Sequence, residues 1–129
     1  GQSDRALVSG WRLEHMPNVK IYVDEAVYKS HTAALTDALL PLRDIVSEHL
    51  EAPHSACQLA LISIVGLSDQ PAVNVEISIM PRPNRTKETL ESMGAELQRL
   101  LGEITKQSVA FRCAQLDPST YVTLKKRSV

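Results

Sequence analysis

The sequence predicts an α+β fold (an α/β sandwich) in which a four-stranded mixed sheet carries two helices on one face. Two observations predict it. First, the order strand, helix, strand occurs twice, over about residues 17–66 and 72–116, as an internal repeat of one βαβ unit. Second, the two strands of such a unit are parallel and joined by a right-handed crossover, which can place both helices on the same side of the sheet. The chain of 129 residues has the length of one domain.

The first unit opens with a strand over residues 19–24, where apolar and polar side chains alternate with a period of two. Residues 24–31 are predicted to form a loop. Over residues 35–50, leucine and valine recur every three or four positions, which is typical of an amphipathic helix. Pro41 lies inside this helix and has no N–H to donate to the carbonyl one turn earlier, so we expect a kink or a local break there.

The second strand of the first unit, residues 57–65, is apolar on both faces. Such a strand needs cover on both sides. If both helices lie on one face of the sheet, the chain has no further helix for the opposite face. The residues therefore predict a homo-oligomer, in which another copy of the chain covers the open face.

The second unit repeats this plan. Residues 73–80 alternate apolar and polar side chains most regularly of all, and the proline-containing segment 81–85 is expected to be a non-helical loop. A helix with apolar residues every three or four positions follows, over residues 90–104. Residues 109–116 are predicted to be the fourth strand, and residues 121–124 a short edge strand.

Composition and charge exclude several functions. The formal net charge is −1, so no overall basic field attracts nucleic acid or an anionic membrane, and no apolar run approaches the roughly 20 residues of a membrane-spanning helix. The N-terminus lacks the apolar core of a signal peptide, so we expect a cytoplasmic protein. Neither the two cysteines nor the four histidines have metal-ligand spacing, and no glycine-rich phosphate loop is present, so we expect no cofactor. The basic end, residues 125–127, predicts a solvated tail.

Three residues are candidates for chemistry on position alone. Arg85 lies where the first strand of the second unit passes into its helix, an end that favours anions; Arg82 lies three residues earlier. An arginine in such a loop either binds a carboxylate or is simply solvated. Pro17 precedes the first strand, where proline is tolerated without any function. If Met16 is the true start, however, its removal leaves Pro17 with a free secondary amine, which titrates in the range of a general base.

Several segments together resemble the tautomerase superfamily, whose members begin their first strand with an amino-terminal proline. The segment MPNVKIYVDE, residues 16–25, opens a βαβ repeat in the same way. The length and the second half, VNVEISIMPRPNRTKETLESMGAELQRLL (residues 73–101) and FRCAQLDP (residues 111–118), are most similar to the 5-carboxymethyl-2-hydroxymuconate isomerase branch. The resemblance covers residue 16 to about residue 125. It implies a homotrimer whose sheets enclose a central barrel, and a small anionic unsaturated acid as substrate.

The resemblance also implies roles for individual residues. Pro17 matches the catalytic base, and Arg85 matches the arginine that binds a carboxylate or carbonyl oxygen of the substrate. Arg82 is a second substrate-binding candidate beside it. Gln58 occupies the position that often holds a second arginine in this superfamily, and glutamine donates a hydrogen bond but brings no charge. The implied activity is an isomerase that needs no metal or nucleotide and that acts in the degradation of aromatic compounds.

The first residues of the chain leave two interpretations open. We interpret residues 1–16 as an N-terminal extension and residues 17–129 as the tautomerase-like domain. If the extension is not native, Pro17 is terminal and the protein is an enzyme. If the extension is present, the nitrogen of Pro17 is an amide without a basic lone pair, and the alternative is a non-catalytic, oligomeric binding protein with the same fold.

Overall fold

The computed structural model describes residues 7–8, 11–12, 15–126 and 128. Its elements in chain order are β1 (Leu7–Val8), β2 (Trp11–Arg12), β3 (Asn18–Asp24), α1 (Glu25–Leu50), a 3₁₀ turn (His54–Ala56), β4 (Gln58–Ile64), β5 (Val73–Ile79), α2 (Lys87–Thr105) and β6 (Val109–Gln115). The short strands β1 and β2 pair antiparallel with each other. Among the described residues, the other four strands form one sheet.

That sheet has the strand order β4-β3-β5-β6. Within each unit the strands are parallel, β3 with β4 and β5 with β6, whereas the central pair β3 and β5 is antiparallel. The predicted mixed sheet and its pairings are therefore confirmed. Because the central pair is antiparallel, an approximate two-fold axis normal to the sheet relates the two βαβ units.

Both helices pack on one face of the sheet and against each other, as predicted. The odd-numbered residues of β3 and β5 face them and are almost fully buried: Val19, Ile21, Val23, Val73, Val75, Ile77 and Ile79. The helices contribute the opposing side of this core with Leu35, Leu42, Val46, Leu50, Met93, Leu97 and Leu101. No helix in the described part of the chain has the length and apolar character needed to cross a membrane.

The even-numbered residues form the opposite face of the sheet, which we call the open face. Its apolar area lies mainly on β4, where Ala60 and Ile62 are half-buried. The middle row is charged, because Lys20 lies opposite Glu76 and Glu76 lies beside Arg112. The prediction that β4 is apolar on both faces agrees with its side chains, but the other strands give this face a mixed character.

Helix α1 begins earlier than the sequence pattern predicts. The segment 24–31 is helical rather than a loop, because the Asp24 side chain caps the helix by accepting a hydrogen bond from the Ala26 N–H at 3.1 Å. Asp24 is at once the last residue of β3 and the N-cap of α1. The apolar period alone did not reveal this start, since α1 residues before Leu35 are exposed or half-buried.

The irregularity in α1 is at His31 and not at Pro41. Within α1, all of which the structure describes, His31 is the residue with non-helical angles (φ −125°, ψ 20°). Its Nδ1 lies 3.1 Å from the Val27 carbonyl, the group that the His31 N–H would otherwise engage, so side chain and backbone compete for one acceptor. Pro41 and Asp37 are both exposed, and water can therefore satisfy the carbonyl that Pro41 leaves unbonded.

The predicted edge strand over residues 121–124 does not form. After β6 the Leu116 N–H donates to the Ile79 carbonyl at 2.8 Å, and the chain then turns at Asp117. The Asp117 carboxylate accepts hydrogen bonds from the N–H and the hydroxyl of Ser119, which holds its pKa below the ordinary value. The turn directs residues 121–125 to the end of the sheet where β3 and β4 begin.

Two glycines of α2 offer a test of the packing on β6. A Cβ at Gly94 would lie 2.5 Å from the ring of Phe111, whereas a Cβ at Gly102 would have 3.8 Å to its nearest neighbour. We expect Gly94→Ala to lower the free energy of unfolding by about 1–3 kcal/mol, since the ring must shift inside a packed core. Gly102→Ala is the matched control and is expected to stabilise by up to about 1 kcal/mol through helix propensity. Urea denaturation of both variants measures this; equal effects would contradict the packing.

Candidate active site

Pro17 lies at the end of the sheet where β3 and β4 begin and where β5 and β6 end. It is buried, and its carbonyl accepts the Gln58 N–H at 3.0 Å, which joins the residue before β3 to the first residue of β4. In the chain that carries Met16, the nitrogen of Pro17 is an amide. Pro17 stands directly before β3, the strand that the alternation of residues 19–24 predicted.

A cavity of about 330 Å³ opens beside Pro17. The residues that line it are Met16, Asn18, Gln58, Tyr121, Thr123, Leu124 and Lys125. Both chain neighbours of Pro17 are thus on its wall, together with the exposed side chain of Gln58. The Oδ1 atom of Asn18 is buried and accepts no hydrogen bond from any described residue. The cavity therefore offers the amide donor of Gln58 next to the proline.

Arg85 lies two residues before α2, whose N-cap is Thr86. Its side chain is 2% exposed, and Nη1 donates to the Met80 carbonyl at 2.9 Å. The Nε and Nη2 atoms are buried and donate to no described residue. An unsatisfied buried donor costs about 1–3 kcal/mol, so these two groups are strong donors for an acceptor that reaches them.

Electrostatics around Arg85 follow from burial. Burial lowers the pKa of Arg85, and the charge of Arg82 lowers it further, but arginine starts so far above neutrality that the side chain stays charged. Burial raises the pKa of Cys57 and of Cys113 to about 11, against the opposing effect of nearby guanidinium groups. Both thiols are free and are neutral at physiological pH, which makes them poor nucleophiles.

Arg82 is placed differently from Arg85. It is exposed between Pro81 and Pro83, and its carbonyl accepts the Arg85 N–H at 2.9 Å. Of the four residues singled out from the sequence, Gln58 is on the cavity wall and Pro17 lies between two wall residues. Arg85 is buried and Arg82 is exposed, and neither lines the cavity.

Three residues near this end of the sheet were missed by sequence reasoning. Lys125 and Asn18 line the cavity, and Arg43 of α1 is half-buried with an Nε that donates to no described residue. Arg43 lies close enough to Cys57 for its charge to oppose the rise of the thiol pKa. The sequence did offer one signal for Arg43, because it is a charged residue directly beside the apolar positions of α1. Nothing local marks Lys125, because its position depends on how the C-terminal segment crosses the sheet.

A second cavity, of about 230 Å³, lies at the opposite end of the sheet. Pro71, Ala72, Asp24 and Ile64 are among the residues that line it. Pro71 precedes β5 by two residues, much as Pro17 precedes β3. Across the residues that the structure describes, no group of three histidine, cysteine, aspartate or glutamate side chains is arranged to hold a metal ion.

Comparison with known proteins gives matches at the level of the fold. No protein-family model matches the sequence, and no curated protein matches it at a significant level. A macrophage migration inhibitory factor-like protein from Entamoeba histolytica superposes with a TM-score of 0.58 at 17% identity, covering 84% of this chain and 96% of that chain. A fused 4-OT asymmetric trimer gives 0.63 at 12%, covering 82% and 91%. Pt0534 inactivated by 2-oxo-3-pentynoate gives 0.58 at 19%, covering 82% and 90%. The chain therefore has the fold of these proteins.

Proposed function

We propose that this protein is a cofactor-independent isomerase of the tautomerase type, whose general base is the secondary amine of Pro17 when Pro17 is the first residue. One observation carries the proposal: the cavity beside Pro17 is walled by both of its chain neighbours and by Gln58. The fold shared with fused 4-OT and with a migration inhibitory factor-like protein supports it.

The proposed reaction moves one proton along a conjugated system. The Pro17 amine removes a proton from a hydroxyl, or from a carbon next to a carbonyl, of an unsaturated dicarboxylic acid. The resulting ammonium group returns the proton further along the chain, so enol and keto forms interconvert without a net change in composition. An α-amino group titrates at about 7.7–8, close enough to physiological pH that its neutral and protonated forms are both populated, as a group that takes up and returns a proton requires.

Arg85 and Gln58 are proposed to stabilise the negative charge that develops on the substrate. Arg85 holds a buried positive charge at this end of the sheet, with two N–H groups that engage no described residue. A charge in a low-dielectric setting acts more strongly than one in water. Gln58 adds a hydrogen bond from its amide. The natural substrate is proposed to resemble 5-carboxymethyl-2-hydroxymuconate, the type of intermediate that forms when aromatic compounds are degraded.

A second candidate function is a non-catalytic binding protein of the same fold. The observation that favours it is chemical: in the chain that includes residues 1–16, the buried Pro17 nitrogen is an amide and accepts no proton. N-terminal mass spectrometry of the protein from its native host distinguishes the two functions, because it shows whether Pro17 is terminal. The catalytic test compares the protein that begins at Pro17 with the longer chain.

We also propose that the protein is a homotrimer in solution. Supporting this, both described helices lie on one face, β4 leaves apolar side chains on the open face, and a fused 4-OT of the same fold is a trimer. Sedimentation velocity at micromolar concentration is expected to give the mass of three chains. A stable monomer under these conditions would refute the assembly.

A further inference from the structure

The cavity beside Pro17 contains a charge that the candidate residues do not account for. Of the described residues that line it, Lys125 alone is charged at neutral pH, and none of them carries a carboxylate that would neutralise it. Gln58, on the same wall, is uncharged where the resemblance implies an arginine. Among the residues that the structure describes, the cation of this cavity therefore comes from the C-terminal segment.

The path of the chain explains how Lys125 reaches this place. β6 and β4 are the two edges of the sheet, about 14 Å apart at strand spacings of about 4.8 Å. After the turn at Asp117, residues 121–125 line one cavity with Gln58, the first residue of β4. The segment thus crosses the ends of the two central strands. Thr123 is half-buried along it, while Lys125 and its neighbour Lys126 are exposed.

The chemistry of the wall fits a carboxylate. An ammonium group and an amide N–H both donate to carboxylate oxygens, and a charged donor makes the stronger contact. A ligand with a carboxylate at one end and an enol nearer Pro17 would engage both of these donors with its carboxylate.

We propose that Lys125 binds the substrate carboxylate that is remote from the reacting enol, and that it supplies the positive charge that Gln58 lacks. The role of Lys125 in turnover rests on the proposed function. Its role in binding a carboxylate does not. The contact with Lys125 makes the protein prefer unsaturated acids that have a second, remote carboxylate. Acids with an apolar group in place of that carboxylate bind more weakly.

The binding test uses the full chain and muconate, a conjugated dicarboxylate without a hydroxyl to tautomerise. Isothermal titration is expected to show binding that weakens about tenfold in Lys125→Met and is unchanged in Lys126→Met, the matched control. Raising the salt concentration should weaken binding to the wild type more than to Lys125→Met. Absence of muconate binding, or equal losses in the two variants, would overturn the proposal.

The kinetic test uses the protein that begins at Pro17. For 2-hydroxymuconate, which has a remote carboxylate, Lys125→Met is expected to raise KM about tenfold with little change in kcat. For phenylenolpyruvate, which has a ring in that place, the variant is expected to match the wild type. Equal losses on both substrates would contradict the assignment. If the protein turns over neither substrate while muconate binding still depends on Lys125, the proposed function fails and the binding site stands.

Discussion

A protein that begins at Pro17 is expected to ketonise 2-hydroxymuconate or phenylenolpyruvate at least about a hundredfold faster than the chain that begins at Gly1. The reason is the lone pair of the Pro17 nitrogen. In the longer chain that lone pair is delocalised into the amide bond with Met16 and accepts no proton. Positioned general bases contribute about 10²–10⁴ in rate, which sets the size of the effect.

The measurement is the loss of enol absorbance with both forms of the protein at equal concentration. A start at Met16 produces the shorter form, because cellular methionine removal is efficient before proline. A second readout is covalent labelling by 2-oxo-3-pentynoate, the compound that inactivates Pt0534. Conjugate addition of the Pro17 amine to the alkyne would add one whole reagent to the shorter form and none to the amide. Equal activity in both forms would remove Pro17 from the mechanism.

Replacing Arg85 by alanine, in the protein that begins at Pro17, is expected to lower kcat/KM about tenfold to a hundredfold. A charge-assisted contact to an oxyanion or carboxylate is worth about 1.5–3 kcal/mol, which corresponds to that range. Arg82→Ala is expected to change little, since Arg82 is exposed between two prolines. A fall in kcat would indicate a contact to the developing dienolate, and a rise in KM a contact that only holds the substrate.

The burial of Arg85 requires a structural control. Arg85→Ala also removes the hydrogen bond to the Met80 carbonyl, so part of any loss could come from the loop between β5 and α2. Gln115→Ala is the matched variant: it removes the hydrogen bond from Gln115 to the Arg85 carbonyl, 3.1 Å long, but keeps the charge. Thermal denaturation ranks both variants by stability. If Gln115→Ala loses as much activity at equal stability, Arg85 has a structural role only.

The strands and their pairing could be predicted because alternation along a chain maps directly onto the two faces of a sheet. The start of α1 could not be predicted, because Asp24 is both the last residue of the strand and the helix cap. The break at His31 could not be predicted either, because it depends on one side-chain hydrogen bond. The sequence placed Pro17 and Gln58 at neighbouring strand starts. It gave no sign of Lys125 on the same cavity, because that contact joins segments far apart in the chain.

The duplication of the βαβ unit has a consequence for stoichiometry. Pro71 stands before β5 much as Pro17 stands before β3, and each borders a cavity at its own end of the sheet. Pro71, however, follows Gln70 within the chain, and its nitrogen is an amide in every form of the protein. A polypeptide has a single amino terminus, so only one of the two related ends of the sheet can carry a free amine. Under the proposed chemistry the protein has as many proton-transfer centres as chains, and one equivalent of a covalent inactivator per chain titrates all of its activity.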